Sequence, residues 1–376
     1  MLKKLATIYQ ANKKIIWNTF LLVLAYKAVV FVLAYFNYHY TQTYHAFNAN
    51  LWLDWWRNWD SFYYLDIARD GYGLDNRAAF YPLFPLLIKV FSYIFGFKIG
   101  ALVVNFLALW GALIGFYKLI KLDFKSSLAW RALSYLLIFP TAIFLNAYYT
   151  ETIFLCLAIW IFYLVRNKKW YLAATLGFFI GLARIEGQIF LLLMVYEYLR
   201  TIDFKLAQID WKKIILFFSP LLGLGCYALF LYFKLGDPWF FIKIQAIGWG
   251  HHFSWPWDPV IDYLAIVVYH TEIAVSGYYL SRAIDLFFFL GTFILGILVA
   301  LKVRASYGLY VMLATLMTSF SGDLVSANRR SLMSFPIVIL LAKWGKNPIV
   351  NFLIILLFGV FFNLFLLRFI NGLWVG

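Results

Sequence analysis

The sequence predicts an all-α polytopic membrane protein, and three observations predict it. Hydrophobic residues make up 64% of the chain and charged residues 13%, where a soluble domain carries about 25% charged and 45–50% apolar residues. Apolar runs near the roughly 20 residues that cross a bilayer as a helix recur along the chain. The basic residues gather in the short loops between those runs, as cytoplasmic loops do.

The net charge of +15 depends on that placement. Clusters at Lys3/Lys4/Lys13/Lys14, Lys118/Lys121/Lys125/Arg131, Arg166/Lys168/Lys169, Arg200/Lys205/Lys212/Lys213, Lys302/Arg304 and Lys343/Lys346 hold 19 of the 32 basic residues. Those loops contain three acids, Asp123, Asp203 and Asp210, which leaves them +16. The excess therefore sets topology and implies no nucleic-acid partner. Cys156 and Cys226 lie inside apolar runs and read as small buried hydrophobes, with no disulfide framework. His39, His45, His251, His252 and His270 show no metal-ligand spacing. No metal or other cofactor is called for, although carboxylates could hold a divalent cation.

In chain order, the basic stretch 1–14 precedes a first span at 15–36, too long for a secretory signal's apolar core. Its N-terminus is expected on the cytoplasmic side. Lys27 sits mid-run, serving either structure or a bound anionic substrate. An outer loop, 37–98, follows. Its end, 81–97, is apolar, but Pro82 and Pro85 break its start and it carries Lys89. It reads as a helix lying in the outer interface, because a span there would turn the next basic cluster outward. Spans are expected at 100–119, 131–149 with a kink at Pro140, and 152–165, the last two joined by an outer turn carrying Glu151. The run 171–199 has Arg184 and Glu186 at its middle and reads as two helices broken there. Further spans fall at 214–235, 284–301, 307–320, 332–343 and 349–369. Between them lie a Trp-rich outer segment, 236–283, and a late outer loop, 321–331. The total is about eleven spans of bilayer length, in one membrane domain with the C-terminus outside.

Polar groups that charge sidedness leaves unexplained converge on the outer face. Five of the 17 acids lie within 52–85: Asp54, Asp60, Asp66, Asp70 and Asp75. Glu151, the pair Arg184 and Glu186, and Arg329 and Arg330 share that face. Arginine takes phosphate by paired charge-assisted hydrogen bonds, and a carboxylate can take a proton from a hydroxyl. The same residues have plain readings: loop carboxylates are usually solvated, Asp70 and Asp75 beside Gly71 and Gly73 suit turns, and tryptophans mark interfaces. Composition and spacing leave the reaction open.

The motifs take it further. Trp59-Asp60, Tyr63-Tyr64, Ile67-Ala68, Gly71-Tyr72 and Ala79-Phe80-Tyr81-Pro82-Leu83-Phe84-Pro85 resemble the first-loop signature of the PIG-V family, GPI mannosyltransferase II and its prokaryotic relatives. Weaker matches follow in order at Phe139-Pro140-Thr141, Tyr149-Thr150-Glu151, Ala183-Arg184 with Gly187, Gly236-Asp237-Pro238 and Trp255-Pro256-Trp257. Tyr63 and Tyr64 depart from the family's His and Phe, and Asn328-Arg329-Arg330 departs from its Pro-Arg pair.

The resemblance implies a GT-C-type fold with a large first extracytoplasmic loop holding juxtamembrane helices. It implies an inverting glycosyltransferase that moves mannose from a polyprenyl-phosphate carrier to a hydroxyl of a glycolipid or glycan. Asp60 matches the family's catalytic acid, here the general base. Donor- or acceptor-binding candidates are Asp54, Arg57, Tyr63, Tyr64, Glu151, Arg184, Glu186, Gln245, Trp255, Trp257, Arg329 and Arg330. The expected partners are the lipid-linked sugar, the acceptor and membrane lipids, with no metal. The membrane would be the plasma membrane of a prokaryote or the endoplasmic reticulum of a eukaryote, with the site extracytoplasmic. Another lipid-linked sugar, or a non-enzymatic flippase or glycan-assembly subunit, are the alternatives.

Overall fold

A computed structural model describes residues 2–40, 52–269 and 277–375. Parts of the first outer loop (41–51) and of the second outer segment (270–276) lie outside the described residues. Among the described residues the structure is helical throughout, with no strand.

The first half runs α1 (Leu2–Tyr40), α2 (Ser61–Asp70), α3 (Leu83–Phe95), α4 (Phe97–Lys121), α5 (Ser126–Leu137), α6 (Glu151–Arg166), α7 (Trp170–Gly181) and α8 (Ile189–Thr201). The second runs α9 (Trp211–Leu216), α10 (Ser219–Leu235), α11 (Phe240–Trp249), α12 (Asp258–Tyr269), α13 (Gly277–Lys302), α14 (Ala305–Ser319), α15 (Ala327–Ser331), α16 (Pro336–Trp344) and α17 (Pro348–Ile370). Five stretches are long and apolar enough to cross a membrane: 12–40, 97–121, 211–235, 279–302 and 348–370. With these spans the chain is an integral membrane protein.

Helix boundaries follow local chemistry. Asn347 caps α17 by accepting from the Ile349 N–H at 2.9 Å, and Pro348 opens the helix where no N–H is needed. Gly96, at φ +74°, turns the chain between α3 and α4. That break leaves α3 at 13 residues, below spanning length, as its prolines predict. α7 and α10 cross closely: a Cβ on Gly223 would stand 2.2 Å from the Phe178 carbonyl oxygen. Small residues at such crossings let helices approach where lipid supplies no hydrophobic drive.

The main departure is at 131–149. α5 ends at Leu137, and 138–150 is non-helical apart from the short 3₁₀ turn Ala142–Leu145. Pro140 lacks the N–H an α-helix needs and disfavours helical backbone just before it. Non-helical backbone at membrane depth survives only inside protein, and 139–150 is buried throughout. The expected exposed turn carrying Glu151 is therefore an interior segment. The 171–199 run breaks where expected, with a 3₁₀ turn, Ile185–Gln188, between α7 and α8. α6, α14 and α16 have 16, 15 and nine residues, so several expected spans are partial helices packed among longer ones.

One apolar core runs from α1 to α17, and a small satellite (Tyr263, Leu286, Phe289, Leu324, Ala327) sits under the late loop. Both cysteines are free, and Cys226 faces outward from α10 instead of lying buried, where lipid can cover it. Lys27 donates to the Leu145 carbonyl at 2.8 Å. It lines a groove with Phe31, Trp56 and Asn146, apart from the cleft below.

Several of the basic clusters meet at one end. Arg166 pairs with Asp123, Arg304 with Glu197 at 2.6 Å, and Arg131 donates to the Ala342 carbonyl at 3.1 Å. α6 runs from Glu151 to this end at Arg166. Its 16 residues set Glu151 about 24 Å away at 1.5 Å per residue.

Candidate active site

Asp60 is the residue preceding α2, its carboxylate making no cap to the helix, and is half-buried. The residue before it, Trp59, is held at φ +55°, a left-handed conformation that costs a non-glycine residue roughly 1–2 kcal/mol. Hydrogen bonds hold this turn. The Asn58 side chain donates to the carbonyls of Trp55 (3.2 Å) and Phe369 (2.7 Å), tying the loop to α17. Ser61 Oγ donates to the Trp56 carbonyl at 2.9 Å. The Asp60 N–H donates to the Tyr149 hydroxyl at 3.2 Å, which donates to the Asn58 carbonyl at 3.2 Å.

A second left-handed residue, Ser326 at φ +67°, starts the turn that carries Arg329 and Arg330. Asn328 braces it: its N–H donates to Asp285 Oδ1 at 3.2 Å, and its amide donates to the Val375 carbonyl. Arg329 then reaches Asp60, Nη1 to Oδ2 at 2.5 Å. The same guanidinium lies over the rings of Tyr149 (5.3 Å) and Phe144 (5.7 Å).

From this pair a chain of alternating charges runs inward. Arg329 Nε stands 3.4 Å from Glu151 Oε1. Arg184 Nη1 donates to the same oxygen at 2.9 Å, and the Nε and Nη2 of Arg184 fork onto Glu186 at 3.2 Å. Arg330 Nε stands 3.7 Å from Glu186 Oε1. Three carboxylates and three arginines therefore sum to zero. Neutrality is what makes such burial tolerable, because an unpaired ion in a low-dielectric interior is very costly. Burial works against the Arg329 charge, but Asp60 and Glu151 outweigh it and hold this guanidinium above its usual value. Burial pulls Arg330 below its usual value, with Glu186 opposing. Among the described residues, the buried Nε of Arg330, the buried Nε of Arg329 and Glu151 Oε2 have no hydrogen-bond partner. Arginine stays charged at any physiological pH, so Arg330 is the least compensated of these three arginines.

Most of these groups line an open cleft of about 140 Å³. Asp60, Arg184, Glu186, Arg329 and Arg330 form its charged wall, with Tyr64, Gln245, Trp249 and Trp374 around them. Tyr64 is buried beside Glu151 and Asp60, and both effects hold its phenol well above its usual value. Tyr63 stacks on Phe80 of the cleft wall, centroids 4.6 Å apart.

Other sequence candidates lie elsewhere. Asp54 pairs with Lys98, and Arg57 lies over Phe62 at 4.7 Å; Arg57 and Lys98 share a separate groove. The 3₁₀ turn Asp54–Trp56 carries Asp54 away from Asp60. Trp255 and Trp257 stack on each other, exposed, with ring planes 2° from parallel. The structure adds Tyr149, Trp249, Trp374, Ser326 and His251, which sequence reasoning missed. Tyr149 lay within a quoted motif; nothing local marks the others. Among the described residues no three His, Cys, Asp or Glu side chains group to hold a metal.

Fold and site together define an all-helical integral membrane protein with a neutral, arginine-rich cleft at the end opposite its basic loops. No family model matches the sequence, and no curated protein matches it. Among solved structures the chain is similar to the oligosaccharyltransferase of Archaeoglobus fulgidus, a crystal structure of its complex with Zn and sulfate. The identity is 13% and the TM-score 0.43; the match covers 93% of this chain and 53% of the other, so this chain spans about half that protein's length.

Proposed function

We propose that this protein is a GT-C-type glycosyltransferase that moves a sugar, mannose in the first instance, from a polyprenyl-phosphate donor to a hydroxyl of a glycolipid or glycan. The observation that carries the reading is the Asp60–Arg329 pair at the cleft, a base candidate bound to a phosphate-binding candidate. The first-loop motif and the lipid-length helices support it. The basic end of the bundle supports a cytoplasmic N-terminus and an extracytoplasmic cleft.

The chemistry follows from those groups. Asp60 takes the proton of the acceptor hydroxyl, and its oxygen attacks the anomeric carbon. The bond from that carbon to the phosphate oxygen breaks, and lipid phosphate leaves with the bonding electrons, inverting the centre. Arg330 and Arg329 hold the developing charge, and on this reading no metal is required. In the resting protein Arg329 occupies Asp60 Oδ2. The donor phosphate competes for Arg329 and so frees the base only when a sugar is in place. That order guards against activating a hydroxyl or water with no donor bound.

The test is transfer of labelled sugar from polyprenyl-phosphate [³H]mannose to a membrane lipid extract by purified protein, wild type beside Asp60→Asn. Wild-type transfer and a roughly 10²–10⁴-fold loss in the variant are expected. Equal rates would remove Asp60 from the mechanism. No wild-type transfer would count against the mannose donor, and repeating the assay with other polyprenyl-phosphate sugars would separate that from a non-enzymatic role.

A further inference from the structure

The strap 250–255 runs beside the late loop. His252 N–H donates to the Ser321 carbonyl at 3.2 Å, and Ser254 N–H to the Phe320 carbonyl at 3.3 Å. Gly250, at φ +70°, ends α11 and folds the chain back. The His251 N–H then donates to the Gln245 carbonyl at 3.3 Å, and its ring Nδ1 meets Gln245 Oε1 at 2.7 Å. Backbone and ring are thus both tied to one residue of the preceding helix.

The chemistry of that contact fixes what the ring offers the cleft it lines. An amide oxygen only accepts, so the shared proton is on Nδ1 and Nε2 of the neutral ring keeps its lone pair. The carboxylates of the cleft are engaged by arginines, and arginine only donates. His251 therefore adds a neutral ring acceptor to the cleft wall, beside the hydroxyls of Tyr64, Tyr81 and Ser326.

We propose that His251 is a specificity-determining residue, whose Nε2 accepts a hydrogen bond from a saccharide hydroxyl bound in the cleft. The substrate class rests on the sugar-transfer reading above; the acceptor role rests on the Gln245 contact. Burial keeps the imidazole below its ordinary value, Arg330 and His252 add to this, and Asp323 opposes it. Asp60, Arg184, Glu186 and Arg329 share the same cleft. Protonation would turn Nε2 from acceptor to donor, so binding is full when the ring is neutral and is lost as pH falls through its titration.

The experiment has two arms. Transfer kinetics against pH are compared for wild type, His251→Asn and Gln245→Glu. A lost neutral hydrogen bond predicts a roughly 3- to 10-fold fall in kcat/KM for His251→Asn, with the acidic limb of the wild-type profile gone. Gln245→Glu places a carboxylate on Nδ1, which favours the imidazolium and moves that limb to higher pH. A shift in donor KM assigns the hydroxyl to the donor, a shift in acceptor KM to the acceptor. kcat/KM within twofold of wild type and an unchanged limb in His251→Asn would overturn the proposal.

In the second arm, NMR of histidine-labelled protein, assigned with His251→Asn, reads the tautomer directly. An Nδ1–H tautomer whose Nε2 signal moves on adding polyprenyl-phosphate mannose supports the role even if no transfer occurs. An Nε2–H tautomer, or a signal that neither the lipid-linked sugar nor the membrane lipid extract moves, overturns it.

Discussion

The two ends of the bundle use the same residue types in opposite ways. At the basic end, Arg166 meets Asp123 and Arg304 meets Glu197, but most lysines there have no carboxylate to pair with and the loops keep their excess charge. At the cleft end, three arginines and three carboxylates alternate to neutrality, largely out of solvent. Water can screen an excess of exposed charge at low cost. A buried set has no such option and must pair internally. Orientation needs only the count of positive charges, whereas the cleft needs a particular partner for each.

The contrast can be broken from the cleft side first. The largest expected effect is on transfer, in Asp60→Asn, as above. On stability, Glu151→Gln should be the most damaging single change, because it leaves Arg184 and Arg329 sharing fewer carboxylates in a buried place. Removing one member of a buried ion set costs about 3–5 kcal/mol, which thermal unfolding in detergent would register; a shift no larger than a surface variant's would mean that water reaches this network. Arg330→Ala should raise the donor KM about 10-fold, the scale of one charge-assisted hydrogen bond of roughly 1.5 kcal/mol, with little change in acceptor KM. An effect on acceptor alone would transfer the phosphate role to Arg184 or Arg329.

The basic end sharpens the comparison with a small effect. Asp123 is held below its ordinary value: burial raises it, but Arg166 outweighs burial. A depressed carboxylate stabilises the fold above its unfolded value and loses that contribution as pH falls through the folded one. Asp123 is one-third exposed, so Asp123→Asn should cost at most about 1 kcal/mol. Its difference from wild type should shrink in acid, below the ordinary carboxylate value. A penalty matching that of Glu151→Gln would erase the distinction between the ends.

Much of this was legible before folding. The acid-rich first loop, the break at Arg184 and Glu186, and the prolines that shorten α3 are local signals, and local signals survive into the structure. Asp54 shows the limit: it lies six positions from Asp60 in sequence, yet a 3₁₀ turn sends it to Lys98. The segment 138–150 shows another. Its apolar run satisfies a hydropathy window, while Pro140 and the burial around it decide that it is not a helix. His251 could not be singled out among the histidines, because its link to Gln245 depends on a left-handed turn at Gly250.

By itself the sequence determined that this is a helical membrane protein, which loops carry its positive charge, and that a polar segment follows the first span. Apolar run length and charge counts act locally, so they need no knowledge of what packs where. Only the tertiary structure decided that Asp60 meets Arg329, 269 positions away, and that Glu151, Arg184 and Glu186 join them in one neutral chain. Such pairing depends on helix crossings and on two left-handed turns, at Trp59 and Ser326, that aim the partners at each other.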